Sequence, residues 1–145
     1  MDQEQRSEMF KNRVAELDKL HPGYLESFEE MREYLLSKGG WDVVPGFEPD
    51  PLVFLMKDYG SEMAGEIELN EMEVSKCHDN TMNWYESLGD KNSAYVCTGY
   101  CLSDDGLWRG HSWGLANGKI VETTVARKIY FGLMYKPDEA SAKKQ

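Results

Sequence analysis

The sequence lacks any apolar run approaching the roughly 18–20 residues needed to cross a bilayer. It also lacks basic character: Lys and Arg number 16 against 26 Asp and Glu, and the formal net charge is -10. Non-specific binding to nucleic acid or to an anionic membrane needs a basic surface, so both are excluded as partners. The first ten residues, MDQEQRSEMF, are polar and acidic, the opposite of a secretory leader, which sets the expectation of a cytoplasmic protein. Cysteine is scarce and odd in number (Cys77, Cys97 and Cys101), which argues against a disulfide framework. No repeat or low-complexity segment interrupts the chain.

Aromatic and aliphatic residues are not scarce. Hydrophobic residues make up 41% of the 145 positions, with four Trp and eight Tyr. That is enough for one domain over residues 1–145 and not for two. Residues 5–20 carry Met9, Phe10, Val14, Leu17 and Leu20 at helical spacing. His21-Pro22-Gly23 stops this helix. A second runs from Tyr24 to Lys38 and ends at Gly39-Gly40. The pair predicts a helical hairpin over residues 1–40 covering an apolar surface. Pro45, Gly46, Pro49 and Pro51 predict an irregular loop across 41–60, and Leu52 to Met56 is too short a run to assign. IELNEMEV, within the acidic stretch 61–74, alternates as an edge strand.

Ser75 is the expected cap of a helix from Lys76 to Leu88, with Asp79 complementing its positive end. Four strands follow at 93–102, 107–116, 119–126 and 129–135, with Asp105-Gly106 and Asn117-Gly118 as hairpin turns. Helices first and strands later predict an α+β domain: a helical hairpin, a central helix carrying Cys77, and an antiparallel meander. The core is expected over 75–135, and 136–145 is a polar tail expected to be flexible.

A two-residue turn at Asn117-Gly118 pairs Ala116 with Lys119, hence Trp113 with Glu122 and His111 with Thr124. Glu122 then lies diagonally beside His111 on the same face, about 7–8 Å or less between Cβ atoms, within reach of a carboxylate–imidazole bond. A two-residue turn at Asp105-Gly106 sets Tyr100 opposite His111 and turns Cys97 and Cys101 to the other face as structural residues. Cys77 remains the candidate nucleophile. In a first helical turn the thiolate is stabilised by the helix end, and free amides there can hold an oxyanion. His111 would take the thiol proton and Glu122 would fix the imidazole. His78 points about 100° away from Cys77 around the helix and is not the base. Trp113, Tyr100, His78 and Asn80 are candidates to line a substrate cleft, with Tyr59, Asn70 and Asn80 as possible oxyanion donors. Zinc is the chemical rival. The spacing of Cys77, His78, Cys97, Cys101 and His111 fits no common site, and Cys97 and Cys101 would stand roughly 13 Å apart on one strand. No metal or other cofactor is expected.

Cys77 opening a helix, then Gly99-Tyr100, His111-Ser112-Trp113 and Glu122-Thr123 on successive strands, resembles the transglutaminase-like branch of the papain-like cysteine hydrolases. The resemblance covers about residues 75–135. It departs in having Glu where the third residue is usually Asp. It implies a papain-like fold with Cys77 as nucleophile, His111 as base and Glu122 as orienting acid. It also implies activity on an amide of a protein or peptide, whether peptidase, isopeptidase, deamidase or cross-linking. The family also contains members that have lost catalysis, so the alternative is a protein-binding module of inhibitor or immunity type.

Overall fold

Asp2 begins the chain's first regular element: its side chain accepts from the Gln5 amide while the Gln5 side chain accepts from the Asp2 amide. This reciprocal cap starts α1 (Gln3–Leu20) two residues earlier than the apolar stripe predicts. Phe10, Val14 and Leu17 are the buried positions of that stripe, whereas Met9 and Leu20 are exposed. Gly23, at φ 96°, turns the chain into α2 (Tyr24–Leu36). The computed structural model describes residues 1–137. The remaining elements are β1 (Asp42–Val43), α3 (Leu52–Tyr59), β2 (Ser61–Met63), β3 (Ile67–Leu69), α4 (Cys77–Ser87), β4 (Ala94–Leu102), β5 (Leu107–Ala116), β6 (Lys119–Glu122) and β7 (Ile129–Tyr135). No helix among the described residues is long and apolar enough to cross a membrane.

The fold is α+β, with the sheet in the order β2-β7-β4-β5-β6-β3. Its pairings are antiparallel except β3 with β6 and β1 with the first residues of β5. The outermost strands, β2 and β3, are joined by only three residues, Ala64 to Glu66. The sheet therefore curls until its two edges nearly meet. Met63 from one edge and Ile67 from the other share an interior with Cys97, Cys101, Trp113, Ile120 and Tyr130. The outer face is covered in two parts. α1, α2 and α3 pack over Tyr100, Leu102, Trp108 and Phe131. α4 lays Trp84 and Tyr85 over Ala94, Val96 and Val121.

The structure corrects several expectations. Residues 41–60 are not wholly irregular, because Leu52–Tyr59 form α3 and bury Val53 and Met56. Only Ile67–Leu69 of the expected edge strand is regular strand, with the Asn70 and Met72 amides still donating to the Glu122 and Thr123 carbonyls, and β2 was not anticipated. Ser75 does not cap α4. It adopts φ 65°, turning the chain, so that Lys76 occupies the cap position without a side-chain bond. β6 stops at Glu122 rather than continuing to 126. Lys136 is tied down, its Nζ donating to the carbonyls of Lys91 and Asn92, and the rest of the expected tail, 138–145, lies outside the described residues.

The most consequential correction concerns register. The hairpin at Asn117-Gly118 pairs Ala116 with Lys119 as predicted, both turn residues having positive φ. The preceding hairpin does not use a two-residue turn. The Ser103 amide donates to the Leu107 carbonyl across a three-residue loop, 104–106, closed by Gly106 at φ 83°. The shift of one residue sets Gly99, not Tyr100, opposite His111. Tyr100 moves to the outer face, and Cys97 and Cys101 share the inner face with His111.

α4 is seated by a missing side chain. A Cβ on Gly114 would lie 2.3 Å from the Trp84 ring. Gly114→Ala is expected to push α4 off the sheet and cost roughly 1–3 kcal/mol, read as a lower urea midpoint. An unchanged midpoint would contradict this seating.

Candidate active site

β6 carries Glu122 as its last residue, and the side chain points into the curled sheet, where it is 0% exposed. A carboxylate there must be surrounded by donors. His111 Nε2 lies 2.8 and 3.0 Å from its two oxygens. The Tyr130 hydroxyl donates to Oε1 at 2.8 Å, and Oε2 accepts from the Thr124 amide at 3.0 Å and its hydroxyl at 3.1 Å. Burial alone would raise the Glu122 pKa, but His111, Thr124 and Tyr130 together hold it below the ordinary carboxylate value. With Glu122 ionised, Nε2 is the protonated ring nitrogen and Nδ1 is left as an acceptor.

The His111 ring is stacked on Trp113, centroids 6.1 Å apart at 19°. Burial pushes its pKa down, but hydrogen bonding to Cys77 and Glu122 outweighs this and raises it above 6.5. The Cys77 thiol is half-buried at the first residue of α4, and the next residue, His78, brings its Nδ1 3.3 Å from Ser112 Oγ on β5. Burial would raise the Cys77 pKa. His111 and the amides of Ser112 and His78 reverse the effect and hold the thiol below its usual 9.0. The other cysteines behave oppositely: burial pushes Cys97 up to about 12 and Cys101 well above the ordinary thiol. Cys97 and Cys101 are structural because they are buried, not because they face away from His111.

A break in the β5 edge makes room for Cys77. Residues 107–108 pair with β1 on that edge, and residues 114–116 with β6. The start of α4 reaches β5 in the interval between them, at Ser112.

The expected cleft residues fare less uniformly. Trp113 is 0% exposed and backs the His111 ring rather than walling a cleft. Tyr100 lies in the helix-covered core with its hydroxyl 3.3 Å from Asp50, so it is not at the site. Asn80 is buried and donates to the Glu73 carbonyl at 2.6 Å, tying down the segment before α4. Of the other suggested oxyanion donors, Tyr59 is exposed on α3, and Asn70 makes a backbone bond to the Glu122 carbonyl. His78 is exposed beside the site, its Nδ1 3.3 Å from Ser112 Oγ, which donates to Thr98. Sequence reasoning missed Tyr130 and Thr124. A Thr two residues after a buried acid is a readable local signal for a side-chain-to-backbone turn. Tyr130 reaches Glu122 only because the sheet curls. Among the described residues no cluster of three or more His, Cys, Asp or Glu is arranged to hold a metal ion.

The arrangement joins a thiol of lowered pKa, an imidazole with a free acceptor nitrogen, and a buried anion fixing that imidazole. These are the parts needed to generate a thiolate and to return its proton.

His111, with a raised pKa, stabilises the fold fully below about pH 6.5 and loses that contribution as pH rises through its folded value. Glu122, with a lowered pKa, contributes fully above about pH 4.5 and loses it as pH falls through its folded value. The stability difference between wild type and His111→Ala is therefore expected to be larger at about pH 5.5 than at about pH 8.5, measured by urea unfolding. An equal difference at both would refute the linkage. Tyr130→Phe, which removes one donor from Glu122, is expected to cost roughly 1–2 kcal/mol in the same assay.

Comparison with known protein families, with curated proteins and with solved structures finds no match for this chain.

Proposed function

We propose that this protein is a cysteine-dependent hydrolase or acyltransferase acting on an amide of a protein or peptide. In this reading its β-rich half is a papain-like core of the transglutaminase-like kind. The observation that carries the reading is the His111 imidazole, its Nε2 2.8 Å from the fully buried Glu122 carboxylate, on the strand beside which α4 starts at Cys77. The Cys77 pKa is lowered, whereas burial raises those of Cys97 and Cys101 in the same chain.

The chemistry follows from the proton inventory. The thiol proton passes to His111 Nδ1, leaving the Cys77 thiolate and an imidazolium whose charge Glu122 stabilises. The thiolate attacks the amide carbonyl carbon, a C–S bond forms, and the carbonyl electron pair moves to oxygen. Unpaired amides in the first turn of α4 are the donors nearest that oxyanion. As the intermediate collapses the C–N bond breaks, and the nitrogen leaves as ammonia or an amine carrying the proton from His111. Water, or a second amine, then gives a proton to His111 and attacks the thioester, releasing acid or a new amide and restoring the thiol. Glu122 is a positioning residue, since it acts through His111. Its extra methylene relative to Asp is absorbed by the four donors that fix both oxygens.

The test is alkylation of each cysteine in the native protein against pH, read by mass spectrometry. Cys77 is expected to react well below the free-thiol pKa of about 8.5, while Cys97 and Cys101 stay unmodified. His111→Ala is expected to move the Cys77 profile up to that of an ordinary thiol. A wild-type Cys77 titrating as an ordinary thiol would remove the enzymatic reading and leave the protein-binding module.

A further inference from the structure

The β5 edge that admits Cys77 has a second vacancy. Backbone groups of alternate residues on a strand point the same way. The Trp108 carbonyl accepts from the Val44 amide on the β1 side, and Ser112, four residues on, turns its backbone to that same side, where its amide helps to lower the Cys77 pKa. The N–H and C=O of Gly110, midway between, must point there too. β1 does not continue alongside them: its pairing ends at Val43 with Trp108, and beyond it only the Val44 amide still bonds to β5. β6 reaches only as far as the Gly114–Val121 pair. Among the described residues the Gly110 backbone groups have no partner, Gly110 is exposed, and a Cβ there would meet nothing within 4 Å.

We propose that this interval is the substrate site: an extended polypeptide adds to the β5 edge, its backbone pairing with the N–H and C=O of Gly110, and its reacting carbonyl is delivered to Cys77. The inference rests on Cys77 being the nucleophile. Three features select an extended peptide over a small amide. An unpaired donor and acceptor on one strand residue match the paired bonds of a β-ladder. The open interval from Trp108 to Ser112 is about 14 Å long, room for roughly four extended residues. Gly110 and Ser112 lie about 7 Å apart on the same edge, so a strand paired at Gly110 reaches the Cys77 sulfur one or two residues later. The absence of a side chain on Gly110 keeps the outer face beside that strand clear.

The test uses acetyl-Leu-Leu-Gly chloromethyl ketone, which alkylates a thiolate with loss of chloride, and a set of analogues N-methylated at one amide at a time. Chloroacetamide is the small reference, and each result is the ratio of peptide to chloroacetamide rate constants at Cys77. Methylating one particular amide is expected to lower the wild-type ratio about tenfold, the scale of one lost hydrogen bond. That methylation removes the peptide N–H donated to the Gly110 carbonyl; Gly110→Pro, which removes the strand N–H donated to a peptide carbonyl, is expected to lower the ratio of the unmethylated peptide by a similar factor, while Gly110→Ala, which keeps the N–H, retains it. A wild-type ratio indifferent to methylation at every position overturns the edge site even with rapid chloroacetamide alkylation. Chloroacetamide alkylation no faster than that of an ordinary thiol overturns the nucleophile itself, so the two failures are distinguishable.

Discussion

A fully buried carboxylate, Glu122, is the constraint around which the β-rich half is arranged. An ion in such a place persists only if several donors converge on it, because leaving it unpaired costs more than any one packing contact returns. The donors come from β5, from β7 and from the turn that ends β6. No flat sheet brings these three together. The curl that joins β2 to β3 through three residues is what carries Tyr130 across the interior to a carboxylate it does not neighbour in the strand order. The same requirement explains why β6 is short: its backbone must turn at Thr124 to supply two of the bonds.

The helical layers serve that interior from outside. α1 to α3 close one part of the outer face. There the buried Asp42 is paired with Arg32 and Ser7, joining both N-terminal helices to β1. α4 closes the other part, and seating Trp84 on Gly114 brings the helix start to β5. Packing therefore sets Cys77 beside the strand that carries His111. The electrostatics are local. A chain of net charge -10 does not favour a thiolate by its overall field. The lowered pKa comes from one imidazole and two amides.

The sequence was most legible where a local signal dictates backbone geometry. Asn117-Gly118 admits a tight turn with both residues at positive φ, so the proximity of His111 and Glu122 follows from counting along two strands. Asp105-Gly106 is ambiguous, because the same dipeptide also closes a three-residue loop with glycine last. One residue of slip exchanged the faces of Tyr100, Cys97 and Cys101. α3 was hidden because its stability comes from burying Val53 and Met56 against distant elements rather than from its own length. Ser75 has the chemistry of a cap but is placed in a turn by the segment before it. Tyr130 could not be assigned from spacing, because its contact exists only once the sheet has closed.

The order of the parts along the chain has a biosynthetic consequence. Cys77 leaves the ribosome well before β5, β6 and β7 have been made. Until then no imidazole from β5 faces it, no carboxylate holds that imidazole, and the thiol is as inert as any other on a nascent chain. The lowered pKa of Cys77 is acquired only when these strands have docked and the interior has closed. A truncated or misassembled copy therefore carries a thiol of ordinary pKa.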